Sequence, residues 1–225
     1  MGQPTGRRLL VEGDEDKRVI PEFFEARGIP WGETRDEAIV DIETYDGIDR
    51  LTSEMISAEL KASGLKTLGL LVDANGEPER RWQAVRDRCL PSLHDLPAVL
   101  PENGLIHRSA SGIAFGVWMM PDNRQRGMLE TFLAYLVPPG TPENLWQWTD
   151  ELCDEAHRRE APFKGAHRDK ARLHAWLAFQ DPPGRSLHHA IFQHILAPAH
   201  PKGDAFFAWF VELFGLDFGT PRTRA

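Results

Sequence analysis

The chain has 225 residues, of which 41% are hydrophobic and 27% are charged, a composition typical of a globular protein with its own core. Its formal net charge is −8, which excludes a protein that coats nucleic acid through overall positive charge. No apolar stretch approaches the roughly 18 residues of a membrane span, and the first residues lack the apolar segment of a signal peptide. We therefore expect a cytoplasmic protein with no membrane segment, and inert thiols at Cys89 and Cys153.

The first predicted elements alternate between strand and helix. Residues 8–12 form a short apolar run that predicts a strand. A helical pattern follows, in which Pro21 predicts a late start or a kink. A second strand is predicted over residues 38–47, and the helix after it is expected to end near Gly64.

Residues 67–75 form the clearest predicted strand, because they are an almost continuous apolar run that ends in polar residues. Such runs are typical of parallel strands buried on both faces. The next helix is expected to begin at Pro78. The βαβαβα order predicts a parallel sheet with right-handed crossovers, and functional sites in such sheets lie at the carboxyl ends of the strands. Glu12 and Asp73 both fall at that edge.

The second half of the chain has a different pattern. Residues 104–123 predict two short strands around the sequence SASG, and a helix follows them. The stretch 138–144 is rich in proline and glycine, and everything after it reads as helix. We therefore expect an α/β domain over residues 1–137 and a helical extension over residues 138–225.

Acidic and amide side chains follow two of the predicted strands. Glu12 directly follows the first strand, and Asp16 lies on the first turn of the next helix. Asp73 ends a later strand, with Asn75 two positions further on. Oxygen ligands that converge in this way suit Mg²⁺ or Mn²⁺. Taken singly, Glu12 and Asp73 also fit polar caps of solvent-facing loops, and the helix dipole alone favours Asp16.

Three motifs, LLVEGDEDK, LLVDAN and MMPDNRQRGMLETFL, resemble the successive motifs of Toprim domains in their order and strand context. Such domains occur in topoisomerases, bacterial primases and OLD-type nucleases, and the resemblance covers roughly residues 7–135. It implies a Toprim-like, mainly parallel sheet flanked by helices. The later sequence HRDKARLHAWLAFQ is similar to a lysine-bearing helix of OLD-type nucleases. Among Toprim proteins, the chain most resembles small standalone members without an assigned activity.

The resemblance implies a role for each matching residue. Glu12 matches the invariant glutamate, a metal ligand or general acid/base, and Asp16 matches a second acidic position of the OLD type. Asp73 matches the first Asp of a DxD pair, whereas Asn75 stands in the place of the second and removes a charge from the site. Glu130 matches a late acidic position. These five residues are the expected ligands of Mg²⁺ or Mn²⁺.

The densest basic stretch of the chain, residues 157–174, is the expected contact for a phosphate backbone. Lys170 is our candidate for the lysine that stabilises charge on a phosphate during its transfer. Lys164 and Arg168 are close rivals, and all three are expected to bind substrate. The alternative for the whole stretch is a solvated helix face.

These features predict a divalent-metal-dependent nuclease or related phosphoryl-transfer enzyme that acts on nucleic acid. The resemblance extends to defence against mobile elements and, because the chain has no GxxxxGK[ST] motif, to a separate ATPase as a partner. The alternative, which Asn75 favours, is a non-catalytic Toprim module that binds nucleic acid, a nucleotide or a protein. Two acidic residues also have local alternatives: Glu130 fits a solvated helix face, and Asp122, a further candidate, fits a turn former.

Overall fold

The computed structural model describes residues 6–34 and 36–216, apart from the Glu143 side chain. In this part of the chain the strands are β1 (Arg7–Val11), β2 (Asp41–Thr44), β3 (Thr67–Asp73), β4 (Leu105–Arg108) and β5 (Ala114–Met120). The α-helices are α1 (Asp14–Glu25), α2 (Ser53–Leu60), α3 (Pro78–Cys89), α4 (Leu129–Ala134), α5 (Glu143–Arg158), α6 (Arg168–Ala178), α7 (Leu187–Phe192) and α8 (Asp204–Phe214). Short 3-10 helices cover Ile48–Arg50, Gly165–His167 and Pro201–Gly203.

The strands form one sheet in the order β2-β1-β3-β5-β4. The pairs β1–β2, β1–β3 and β3–β5 are parallel, and among the described strands only the edge strand β4 runs antiparallel to its neighbour, β5. The expected fold class, a mainly parallel sheet flanked by helices with a helical C-terminal stretch, is therefore confirmed. The hairpin of β4 and β5 also corresponds to the two strands expected around SASG.

The central strand β3 is buried along its length except at its last residue, Asp73. Its apolar side chains enter two separate cores, one on each face of the sheet. The core that contains Trp82 and Val85 packs α2 and α3 against one face. The core that contains Phe23 and Phe132 packs α1 and α4 against the other. Polar residues at the end of β3 therefore lie where the buried strand leaves the core.

Helix α8, near the end of the described chain, lies directly on the sheet. A Cβ at Gly69 of β3 would come within 2.8 Å of the Leu9 side chain and 2.9 Å of the Phe214 ring. At Gly116 of β5, a Cβ would overlap the Leu213 side chain. Glycine at these positions allows the close approach of α8 to the strands.

The expected domain boundary between residues 137 and 138 stays a prediction. The helices after this boundary share the larger core with the sheet.

Two local predictions differ from the structure. The late start expected for the first helix is wrong, because α1 begins at Asp14 and runs through Pro21. Burial of the apolar face of α1, which includes Phe23 and Phe24, contributes more to stability than the one backbone hydrogen bond that a proline removes. The second strand is shorter than 38–47, and its pairing extends one residue beyond β2 through a hydrogen bond from the Tyr45 N–H to the Val11 carbonyl. None of the described helices has the length and apolar character of a membrane span.

Candidate functional site

The carboxyl ends of β1 and β3 lie side by side, because these strands are parallel neighbours in register from Arg7 with Thr67 onward. Glu12 follows β1 and Asp73 ends β3. The Glu12 Oε2 atom accepts a hydrogen bond of 3.1 Å from the backbone N–H of Asp73. Two acidic residues that are 61 positions apart in the chain therefore meet at one edge of the sheet.

Asp16 joins this group from the first turn of α1. Its Oδ2 atom accepts a hydrogen bond of 3.0 Å from the Gly13 N–H, and its side chain is buried. A carboxylate in this position caps free backbone donors at the positive end of the helix dipole. The turn between β1 and α1 therefore holds the Asp16 carboxyl group close to the strand end that carries Glu12.

The segment before α4 supplies the next contact. Asp73 Oδ1 accepts a hydrogen bond of 3.1 Å from the N–H of Leu129, the first residue of α4. The following residue, Glu130, is only 4% exposed. Glu130 is therefore a buried carboxylate beside the strand ends, and its alternative assignment to a solvated helix face is wrong.

The ammonium group of Lys170 pairs with this buried carboxylate. The Lys170 Nζ atom of α6 lies 2.7 Å from Glu130 Oε1, and the lysine side chain is 46% exposed. Helix α6 packs against α4, which brings the lysine to the sheet edge from a distant part of the chain. Lys170 therefore pairs with the buried Glu130 while nearly half of its own side chain is open to solvent.

Together these side chains line a cleft of about 470 Å³, which we call the acidic cleft. It is lined by Glu12, Gly13, Asp14, Glu15, Asp16, Asp73, Asn75, Met128, Leu129, Glu130, His167 and Lys170. The structure thus brings all five predicted ligands and Lys170 to one place.

Asn75 has a conformational role as well as a place at the cleft. Its φ angle is +55°, in the left-handed region that asparagine and glycine adopt more readily than most residues. Its backbone exchanges two hydrogen bonds with Gly127, with N–O distances of 2.7 and 2.9 Å. Asparagine at this position therefore fits the turn that joins the end of β3 to the segment before α4.

Burial and mutual repulsion change the acidity of the cleft. Burial raises the pKa of Asp16 to about 7, and the charges of Glu12 and Glu130 add to the rise. Burial likewise raises the pKa of Asp73 well above its usual range, and the charge of Asp16 is the next cause. Partial burial lowers the pKa of Lys170. The hydrogen bond to Glu130 and the negative charge of Glu130 act in the opposite direction, and the pKa of Lys170 is raised overall. The cleft therefore brings carboxyl groups so close together that ionising all of them at once is unfavourable in the folded chain.

The donor set of the acidic cleft suits a hard divalent cation, because carboxylate and amide oxygens are the ligands that Mg²⁺ and Mn²⁺ prefer. The hydrogen bonds to Glu12, Asp16 and Asp73 use one oxygen of each carboxyl group. In the described residues, however, no three histidine, cysteine or carboxylate side chains already stand in a metal-binding arrangement. The residues of the cleft therefore fit a cation in the chemistry of their donor atoms.

Several predicted residues lie elsewhere. Lys164 is exposed and does not line the acidic cleft. Arg168 forms ion pairs with Asp150, at 2.9 Å, and with Asp154, both on α5. Asp122 accepts hydrogen bonds from backbone N–H groups of its own turn and lies outside the cleft lining, which agrees with its interpretation as a turn former.

Other residues near the acidic cleft were not predicted. His167 lines it from the turn before α6. Arg81 and Arg88 of α3 line a neighbouring pocket that shares Asn75 with the cleft. The sequence could have predicted that Arg81 and Arg88 lie together, because residues seven positions apart lie on the same face of a helix. For His167 there was no such signal, because only the packing of α6 against α4 places it there.

The fold and the site define an α/β protein with a cluster of carboxylates at the carboxyl edge of a mainly parallel sheet. The family described as "Protein of unknown function (DUF3226)" matches residues 6–215, so the chain belongs to that family. A solved structure of the C-terminal region of the OLD protein of Xanthomonas campestris pv. campestris is similar at 16% sequence identity. That similarity covers 89% of this chain and 82% of the other, with a TM-score of 0.36. A comparison with curated proteins gave no match.

Proposed function

We propose that this protein is a divalent-metal-dependent nuclease or a related phosphoryl-transfer enzyme that acts on nucleic acid. The observation that carries the proposal is the convergence of Glu12, Asp16, Asp73 and Glu130 on one cleft that also contains Lys170. The order of these residues along the chain, and their elements, resemble the Toprim pattern. A cluster of buried carboxylates is unfavourable for folding unless a ligand compensates it, which argues for a functional role.

In this proposal the residues of the cleft divide between two tasks. Glu12, Asp16, Asp73, Asn75 and Glu130 would hold Mg²⁺ or Mn²⁺ through oxygen atoms. The bound metal would supply an activated water and charge stabilisation at the leaving oxygen. Glu12 would also act as general acid/base, because it stands next to Asp73 at the centre of the site.

Lys170 would stabilise the charge that develops on the phosphate oxygens. Its Nζ atom lies 2.7 Å from Glu130, so it is already at the cleft, and nearly half of its side chain is open to solvent. An ammonium group held near a site of developing negative charge needs little reorganisation during the reaction. The ion pair with Glu130 also orients this lysine, which gives the buried glutamate a positioning role beside its proposed role as a ligand.

The two other basic residues have weaker support as substrate contacts. Arg168 is held by two carboxylates of α5, so a phosphate would have to displace at least one of them. Lys164 is exposed and lies outside the lining of the acidic cleft, so it would contact a nucleic acid only beyond the cleft itself. A role in defence against mobile elements and a separate ATPase partner remain hypotheses that rest on the resemblance alone.

A second candidate is a non-catalytic module that binds nucleic acid, a nucleotide or a protein. Two observations favour it. Asn75 lacks the charge of the second Asp of the DxD pair, and among the described residues no three potential ligands are already arranged for a metal. Binding of the same substrate with no turnover under any metal condition would support this candidate over the enzyme.

The test is cleavage of plasmid DNA and of RNA by the purified protein with Mg²⁺, with Mn²⁺ and with EDTA. We expect cleavage that requires metal and that Glu12→Gln abolishes. Glu151→Gln is the matched control, because Glu151 is exposed on α5 and should tolerate the change without loss of activity. Cleavage by Glu12→Gln at the wild-type rate would refute the proposed role of Glu12, and inactivity of the wild-type protein on every substrate would refute the nuclease.

A further inference from the structure

A second pocket, of about 370 Å³, lies beside the acidic cleft at Asn75. It is formed by the segment after β3 and by one face of α3. The positions of α3 that line it recur every three or four residues, as on one side of a helix, and three of them are Arg80, Arg81 and Arg88. Other positions of α3 are buried in the apolar core, which fixes the direction of this arginine face. We call the feature the arginine pocket.

The charges of the arginine pocket are largely unneutralised by the described chain. Arg80 lies 3.8 Å from Glu77, in an exposed pair that stabilises little in water. Arg81 and Arg88 form no ion pair with another described residue. The Nη1 atom of Arg88 is buried and has no hydrogen-bond partner within the described chain. The described lining of the pocket holds three guanidinium groups and one carboxylate, that of Glu77, so its charge is positive overall and suits an anion.

The arginine pocket and the acidic cleft are adjacent. Asn75 lines both. Asp73 precedes it by two residues, and two residues of chain span at most about 7 Å. Both sites also act on the pKa of Tyr45. Burial and then the charge of Glu12, in the acidic cleft, raise this pKa, and the charge of Arg81, in the arginine pocket, lowers it. A ligand with several phosphates can therefore occupy both sites at once.

We propose that Arg80, Arg81 and Arg88 bind a phosphate group of the same nucleic acid strand whose reacting phosphodiester lies in the acidic cleft. The identity of the ligand rests on the proposed function. Guanidinium groups bind phosphate through paired, charge-assisted hydrogen bonds. Along one strand the phosphates follow each other at a rise of about 3.4 Å, so a nearby nucleotide reaches from one site to the other. The arginine pocket would thus offset the repulsion between the acidic cleft and its substrate.

The test measures binding separately from cleavage. Labelled short single-stranded DNA and RNA are titrated in EDTA, where no metal is present to support cleavage, and anisotropy is followed over a series of salt concentrations. The Arg81→Gln/Arg88→Gln double variant is compared with the wild-type protein and with Arg108→Gln. Arg108 is the matched control, because it is exposed and pairs with Ala114 at the opposite edge of the sheet.

We expect the double variant to bind roughly tenfold more weakly or worse, because two guanidinium groups no longer donate charge-assisted hydrogen bonds to phosphate. The slope of log affinity against log salt should become shallower by about 0.7 for each phosphate that the protein no longer neutralises. Arg81→Lys/Arg88→Lys keeps the charges and should recover part of the affinity, which separates the removal of charge from misfolding. Arg108→Gln should bind like the wild-type protein.

Unchanged affinity and salt slope in the double variant would overturn the arginine pocket as a phosphate site, whether or not the protein cleaves nucleic acid. Failure of the wild-type protein to bind both DNA and RNA would overturn it as well. Arginine-dependent binding by a protein that never cleaves with Mg²⁺ or Mn²⁺ would support the arginine pocket and refute the nuclease. The two proposals therefore fail in different ways.

Discussion

Replacement of Asp16 by asparagine should make the metal-free protein more stable at neutral and alkaline pH. The carboxyl group is buried, and its pKa rises from 3.8 to about 7 because burial and the charges of Glu12 and Glu130 disfavour the ionised form. Well below pH 3.8 the group is protonated in both the folded and the unfolded chain, so it imposes no penalty. As the pH rises towards 7, the unfolded chain loses the proton first, and the folded state loses stability relative to it.

The size of the effect follows from that shift. A difference of about three pKa units at about 1.36 kcal/mol each corresponds to roughly 4 kcal/mol of lost stability above pH 7. The asparagine side chain would carry no charge at any pH while keeping an oxygen that can accept the Gly13 hydrogen bond. We therefore expect Asp16→Asn to gain up to about 4 kcal/mol at pH 8 and only about 0.5 kcal/mol at pH 4.

The assay is urea unfolding in EDTA between pH 4 and pH 8.5. Asp14→Asn is the matched control, because Asp14 is exposed on the same helical turn and should change stability by less than about 0.5 kcal/mol. Saturating Mg²⁺ should stabilise the wild-type protein and stabilise Asp16→Asn less. Equal stability of Asp16→Asn and wild type at pH 8 would refute the view that repulsion and burial destabilise this carboxylate.

Three further predictions concern two residues of the acidic cleft and one glycine of the core. Asn75→Asp should tighten Mg²⁺ or Mn²⁺ binding, measured by calorimetry, because it adds ligand charge; an unchanged dissociation constant would mean that Asn75 is not a ligand. Lys170→Ala should lower turnover and destabilise the fold by about 1–3 kcal/mol, because Glu130 is left buried and unpaired; wild-type turnover and stability would make Lys170 a surface residue. Gly69→Ala should lower the unfolding free energy by about 1–3 kcal/mol, because the new Cβ would overlap the Leu9 side chain; unchanged stability would show that the core relaxes there.

The strand-end part of the acidic cleft could be predicted from the sequence. An apolar run followed by an acidic residue identifies a buried strand and its carboxyl end, and parallel strands place these ends at one edge. That reasoning reaches Glu12 and Asp73. It does not reveal that β1 and β3 are direct neighbours, because strand order depends on how the crossovers pack.

The contacts that close the cleft could not be predicted from local pattern. Glu130 meets Lys170 because α4 packs on α6, and no local periodicity specifies that pairing. Arg168, two residues before Lys170, instead binds carboxylates of α5. A charge count over 157–174 treats the two residues alike, whereas the helix turns one of them towards the cleft and the other towards α5.

The distribution of charge around the sheet edge bears on the proposal that an acidic protein binds a polyanionic ligand. Carboxylates are concentrated in the acidic cleft, Lys170 lies at one margin, and the arginine pocket lies beside Asn75. The backbone N–H groups of Gly13 and Leu129 hold two of the carboxylates in place by hydrogen bonds. A protein selected only for stability would exchange such repelling groups for neutral ones, as Asp16→Asn does in the prediction above. Their presence between two cationic margins is what the proposed function requires, because the proposed metal ion and phosphate ligand would together neutralise the site.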